Sequence, residues 1–353
     1  MFPKRYYFPS MLTLLVVSII VFGVASCVIQ DHRIPSPEGL TAVQGPPFAS
    51  GLKSPIGLTD DPKGNLWVTE AGSGTVNNGQ VTVITPAGAK YPAITGFVSA
   101  ISPENSPEGL NHLAYRDGKL YILHGVEEKL YIVDISSFVP GVSAPISAST
   151  LTGFDIGTFV RKAHTNAPDP EDSNPYNLTF GPNGDLFITD AGGNAIIRRD
   201  KTTGNLSVYS ILPDTPNPGF PSAPGPPTLD PVPTGIVFDG SNFFVTSLVG
   251  FPFPAGQSKI YQVAGAGTPP LSPSVYKSGF SGLTDLTFTS GGKLLVTEFG
   301  FSTTARVASG DDPNKTLFTP AITPVDILLS SAGTDTYYVL YYGPGIIVKL
   351  TAN

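Results

Sequence analysis

Four residues able to do chemistry occupy the same place in a recurring pattern. His112, Asn177, Asp285 and Asp326 each fall immediately before or at the start of a short apolar run, and Gly57 and Gly235 hold that place in two further copies. Equivalent positions of repeats arranged about one axis lie on a ring, so two carboxylates, an amide and an imidazole are expected to converge on a central point. Such a donor set can hold a divalent cation. Calcium or magnesium suits the carboxylates and the amide, while the imidazole admits zinc, manganese or another transition ion. The same group offers His112 and Asp285 as catalytic candidates for moving a proton. A second column ends the strand that follows each copy: Glu70, His124, Asp190, Ser247, Glu298 and Tyr341. These form a candidate ligand-binding rim. The competing reading is local, since Asp and Asn before a strand often only accept backbone N–H bonds in a turn.

Two more candidates lie in Phe251-Pro252-Phe253-Pro254. Phe251 and Phe253, braced by prolines, could wall a mouth and stack on a flat ligand, or could instead plug a gap between neighbouring repeats. The sequence carries no G-x-S-x-G, H-E-x-x-H, P-loop or dinucleotide fingerprint, so common hydrolase and nucleotide chemistries lack support.

The elements that position these residues follow from six repeats. Each has an apolar run, a hairpin turn and a second apolar strand with a polar end, as in Leu66-Trp67-Val68-Thr69-Glu70, Leu186-Phe187-Ile188-Thr189-Asp190 and Leu294-Leu295-Val296-Thr297-Glu298. The turns are hairpin formers, such as Pro62-Lys63-Gly64-Asn65 and Asp117-Gly118. Spacings near fifty residues suit four-stranded blades, so the expected fold is an all-β, six-bladed β-propeller of antiparallel blades. The last copy has too little chain after Tyr341 for its outer strand. A stretch near Leu40 to Val43 can supply it and close the ring. Within the repeats, Trp67, Tyr121, Phe187 and Phe244 are expected to pack blade against blade.

Composition agrees. Gly 39 and Pro 36 make up about a fifth of the 353 residues, and only 13% are charged, against roughly 25% in an ordinary soluble domain. Long helices and disorder are both disfavoured. A formal charge of -7 without a basic cluster excludes nucleic acid as a partner. At the N-terminus, Lys4 and Arg5 precede an apolar stretch ending in Val24-Ala25-Ser26-Cys27. This reads as a lipoprotein signal peptide over 1–26, lipidation at Cys27, and a polar tether over 27–38 before a propeller spanning 39–353. The expected location is extracytoplasmic, at a bacterial membrane surface, as a monomer whose partner is a small molecule or protein at the propeller mouth.

The chain resembles the ScyD/ScyE family. Asp172-Ser173-Asn174-Pro175-Tyr176-Asn177 and Asp190-Ala191-Gly192-Gly193-Asn194 are similar to its SNPYGL and DAGGN motifs. Val232-Pro233-Thr234-Gly235, Leu248 to Gly256 and Ser278-Gly279-Phe280 follow in the family's order. The resemblance runs from about Gly51 to the C-terminus and is strongest from Asp172 to Glu298. Leu248-Val249-Gly250 and Asn111-His112 depart from the family pattern. The resemblance implies an NHL-like six-bladed propeller, secreted or periplasmic. By analogy with gluconolactonase-type propellers it also raises the prospect of a mouth cation and of a metal-dependent lactonase-like hydrolase or lyase.

Overall fold

The computed structural model describes residues 37–165, 171–222, 225–301, 303–319, 321–331 and 335–352. The signal segment 1–26, Cys27 and most of the 27–38 tether lie outside these residues. None of the helices among the described residues is long and apolar enough to cross a membrane.

Six blades follow one another along the chain, as the repeats require. Blade 1 runs from an innermost strand at Pro55–Asp60 through Leu66–Glu70 and Gly79–Ile84 to Lys90–Phe97. The innermost strands of blades 2 to 6 are Leu110–Arg116, Pro175–Phe180, Pro233–Phe238, Leu283–Phe288 and Pro324–Leu329. The four strands of each blade are antiparallel, and in blades 1 to 5 those four follow one another in sequence order from the axis outward. The last blade is completed by Leu40–Ala42, which pairs with Ile346–Ala352 in the register Leu40 to Ala352 and Ala42 to Leu350. This pairing ties the two ends of the ring together and covers the longer edge of Ile346–Ala352, leaving only a three-residue edge strand at the rim.

The core is divided into wedges, one between each pair of neighbouring blades. Trp67 packs with Leu113, Leu120 and Phe138 between blades 1 and 2, while Phe187 and Phe243 fill the wedge between blades 3 and 4. Phe244 and Leu286 sit between blades 4 and 5, and Tyr121 packs against the wedge between blades 2 and 3. Alternation along each strand sends successive side chains into the two wedges flanking its blade, so both faces are apolar. Each large side chain buried this way contributes roughly 2 to 3 kcal/mol.

Three additions were not readable as repeats. Ile146–Ser147 pairs in parallel with Lys90–Phe97, giving blade 1 a fifth, outermost strand contributed by a loop of blade 2. A helix at Gly157–Ala163 follows the short outer strand Gly153–Asp155 of blade 2. Part of the proline-rich excursion between blades 3 and 4 is a small ribbon, with Thr215–Pro216 paired to Thr228–Leu229. Long connections enter the innermost strands at one end of the channel, the loop end; short hairpins occupy the other.

Candidate functional site

Each innermost strand carries a register irregularity near its start, at Pro55/Leu58, Leu110/Leu113, Pro175/Asn177, Pro233/Ile236, Leu283/Asp285 and Pro324/Asp326. A bulge re-aims the side chains beside it. In four blades a threonine of the second strand accepts the backbone N–H displaced there: Thr69 from Gly57, Thr189 from Asn177, Thr246 from Gly235 and Thr297 from Asp285, at 2.8 to 3.1 Å. These bonds fix the bulges, and the bulges turn the ring residues toward the axis.

His112, Asp285 and Asp326 meet there. One ligating atom from each lies within 4.8 Å of the others, and all three side chains are buried. The ring of His112 is oriented by its Nδ1, 3.1 Å from the carbonyl oxygen of Tyr176. A carbonyl only accepts, so Nδ1 carries the proton and Nε2 presents a lone pair. Nε2 makes no hydrogen bond of good geometry among the described residues and lies 3.6 Å from Asp326 Oδ2, with the Val325 backbone also acting on the ring. Two electron-rich atoms facing each other in a buried site call for a proton or a cation between them.

The carboxylates are held by backbone. Asp326 Oδ2 accepts the N–H of Leu58 at 2.6 Å, and Asp285 Oδ2 accepts that of Ile327 at 3.1 Å. No Lys or Arg among the described residues forms an ion pair with either. Burial therefore raises the Asp285 carboxyl to about 6. Asp326 is pushed well above the usual carboxylate range by burial and then by the charge of Asp285. Burial lowers the His112 imidazole to about 3, so it is neutral at physiological pH. The set fits a divalent cation: a neutral imidazole with an unused lone pair and two carboxylates whose mutual repulsion a cation would relieve.

Asn177 belongs to the same cluster in a different capacity. Its Nδ2 donates to Asp285 Oδ1 at 2.9 Å and its Oδ1 accepts the N–H of Leu178 at 2.7 Å. With both ends of the amide engaged, Asn177 orients Asp285 and offers a cation less than the other three do. Tyr176 also belongs to the site, although it lies outside the aligned column. Its ring lies 4.6 Å from that of His112, and burial together with the charges of Asp285 and Asp326 raises its hydroxyl pKa. Its mark in the sequence is its place in the Asp172–Asn177 motif, whereas in the repeat alignment its neighbour Asn177 occupies the aligned position. Glu108 is also raised, by burial and then by Glu104 and Asp172, which places an acidic group on the loops entering blades 2 and 3.

The second column has a structural arrangement. Glu70 accepts the N–H of Lys53, Asp190 that of Asn174, and Glu298 that of Ser281, each one or two residues before the innermost strand of its own blade. All three carboxylates are buried clamps on incoming loops, and Glu298 is further paired with Arg306. His124 is fully buried, with Nε2 3.2 Å from the Val98 carbonyl and Nδ1 accepting the N–H of Glu127. Ser247 accepts the N–H of Lys259, and Tyr341 is buried between blades 5 and 6. None of the six joins the His112 cluster.

Phe251 and Phe253 stand on the loop leaving the second strand of blade 4. Phe251 is 62% exposed. Phe253 stacks on Phe301 at 4.5 Å, and Phe301 stacks on Phe299 at 4.4 Å, so an aromatic ladder bridges the loops of blades 4 and 5.

No protein-family model matches the chain, and comparison with curated proteins finds no relative. Solved structures share its architecture. A gluconolactonase of Xanthomonas campestris aligns with TM-score 0.57 at 12% identity, over 91% of this chain and 100% of the other. The PQQ-bound aldose sugar dehydrogenase of Streptomyces coelicolor aligns with TM-score 0.54 at 16% identity, over 91% and 100%. A luciferin-regenerating enzyme aligns with TM-score 0.53 at 11% identity, over 90% and 96%. At such identities the shared property is the fold, and the chain is a six-bladed β-propeller of the kind these proteins adopt.

Proposed function

We propose that the protein is a lipid-anchored, extracytoplasmic propeller of the ScyD/ScyE type that binds its ligand at the loop end of the channel, with a divalent cation held by His112, Asp285 and Asp326. The observation that carries the cation is the buried Nε2 of His112, which makes no hydrogen bond of good geometry among the described residues and lies beside Asp326. Without a cation, a proton must sit among the three groups. Binding therefore exchanges protons for metal. The acidic group of Glu104, Glu108 and Asp172 favours entry of cations from the loop end. Calorimetric titration of chelator-treated protein with Ca²⁺, Mn²⁺ and Zn²⁺, in buffers of different ionisation enthalpy, tests this reading. Saturable binding with proton release, lost in His112→Ala and Asp326→Asn, is expected; no binding of any ion by folded protein overturns it. Anchoring is tested separately, since Cys27→Ser should move the protein from the membrane fraction to the soluble one.

A second reading, a metal-dependent lactonase-like hydrolase or lyase, draws on one further observation. Asp285, itself one of the three candidate metal ligands, has its carboxyl raised to about 6 by burial, a value suited to accepting and returning a proton near neutral pH. A bound metal would polarise a carbonyl there, and Asp285 or His112 would move the proton. Lactone and ester panels measured with Asp285→Asn decide it. Turnover that survives the substitution would remove Asp285 from the role.

A further inference from the structure

A cleft of about 360 Å³ opens between blades 4 and 5 at the hairpin end, away from the loop end. Four aromatic side chains line it, Phe238, Phe244, Tyr276 and Phe288. Phe244 meets Tyr276 at 5.0 Å and 83°, and meets Phe288 at 6.0 Å and 90°. Rings set at right angles place the edge of one against the face of the other, and the ring surface these contacts leave uncovered lines the cleft. Asp239 and Asp311 carry two negative charges at this cleft, against one positive charge on Lys293. Asp239 is tied into its hairpin, accepting the N–H groups of Ser241 and Asn242. Asp311 is different. Its Oδ1 accepts the Tyr276 hydroxyl at 2.6 Å, while its buried Oδ2 has no hydrogen-bond partner among the described residues.

We propose that this cleft binds a methylated ammonium group, the quaternary head of choline-type compounds. Ring faces carry negative potential, and a cation over them is attracted by the ring quadrupole. The net charge of the polar groups has the same preference. A primary ammonium carries three N–H donors that the ring faces cannot satisfy, whereas a quaternary head has none and spreads its charge over methyl groups that fit apolar walls. Asp311, a lining residue held by the Tyr276 hydroxyl, supplies the compensating charge. Lys293 is half-buried at the cleft and opposes the cation, which gives the proposal a distinctive sign. None of these residues takes part in the His112 cluster, so this inference stands apart from the proposed function.

The test is titration of the folded protein with choline and tetramethylammonium, followed by NMR shifts of the aromatic resonances. The uncharged isostere 3,3-dimethyl-1-butanol serves as the control. Saturable choline binding is expected, with the isostere weaker by about tenfold or more. Asp311→Asn and Tyr276→Leu should each weaken choline by about tenfold. Lys293→Ala should tighten it severalfold by removing a like charge. This last variant changes a partly exposed side chain and keeps the test available if a core substitution fails to fold. Equal binding of the isostere, weaker binding by Lys293→Ala, or no saturable binding in the wild type overturns the proposal. Flotation of the Cys27→Ser protein with phosphatidylcholine against phosphatidylglycerol vesicles separates sources: selective flotation assigns a lipid headgroup, and choline binding without flotation assigns a free ligand.

Discussion

Asn177 of blade 3 donates its amide to Asp285 of blade 5, 2.9 Å away and 108 residues along the chain, passing over the intervening blade. Gly235 of blade 4 permits it. A Cβ there would stand 2.6 Å from Asp285 Oδ1 and 2.8 Å from the Asp285 Cα. Three blades away the arrangement recurs: Gly57 of blade 1 lies between His112 of blade 2 and Asp326 of blade 6, and a Cβ on it would stand 2.5 Å from the His112 Cα. The two glycines without chemistry of their own thus open the channel for the four residues that have it.

Gly57→Ala and Gly235→Ala should each destabilise the protein by about 1 to 3 kcal/mol, because the new methyl meets backbone that cannot move aside. Denaturant unfolding gives the measurement, and a midpoint equal to wild type for Gly57→Ala would contradict the packing described. Both variants should also weaken any cation binding, since they displace His112 or Asp285.

Arg306→Met should cost about 3 kcal/mol or more, because it strands the buried Glu298 carboxylate, which now receives the guanidinium at 2.6 and 3.0 Å. The double variant Glu298→Gln with Arg306→Met should recover part of this loss. A double variant less stable than the sum of the two single changes would show that the pair is not the unit proposed.

Burial lowers the His124 imidazole to about 4. The native state therefore holds it neutral while the unfolded chain protonates it below about pH 6.5. Its contribution to stability is complete above that value and lost as pH falls toward 4, on the order of 3 kcal/mol in all. His124→Gln should flatten the decline between pH 6.5 and 4 relative to wild type, read from thermal midpoints across that range. An unchanged slope would place the imidazole in a more solvated state than the fold indicates.

Deletion through Ala42 should leave the last blade with an open outer edge on Ile346–Ala352. The truncated protein is expected to aggregate or to melt well below a chain beginning at Ser36, by differential scanning calorimetry with light scattering. Equal melting would mean that the three-residue strand contributes little to closure.

The six repeats, the hairpins joining their inner strands and the closure near Leu40 were legible because turn chemistry and strand alternation are local properties. Aligning the repeats also put His112, Asn177, Asp285 and Asp326 in one column, and the ring symmetry of a propeller turned that column into a cluster. The column alone could not separate His112, Asp285 and Asp326 from Asn177, whose amide is spent on Asp285 and Leu178. Nor could it show that Glu70, Asp190 and Glu298 turn back to clamp their own incoming loops. Alignment fixes a residue's height and its blade, whereas the direction of its side chain depends on bulges and strand twist. The cleft beside Phe244 lies further still from the sequence, because its walls come from Tyr276, Phe288 and Asp311, brought together only when blade 4 packs on blade 5. Local pattern thus determined the blades and the axis, and packing between blades decided which polar groups are spent on structure and which keep an unused lone pair.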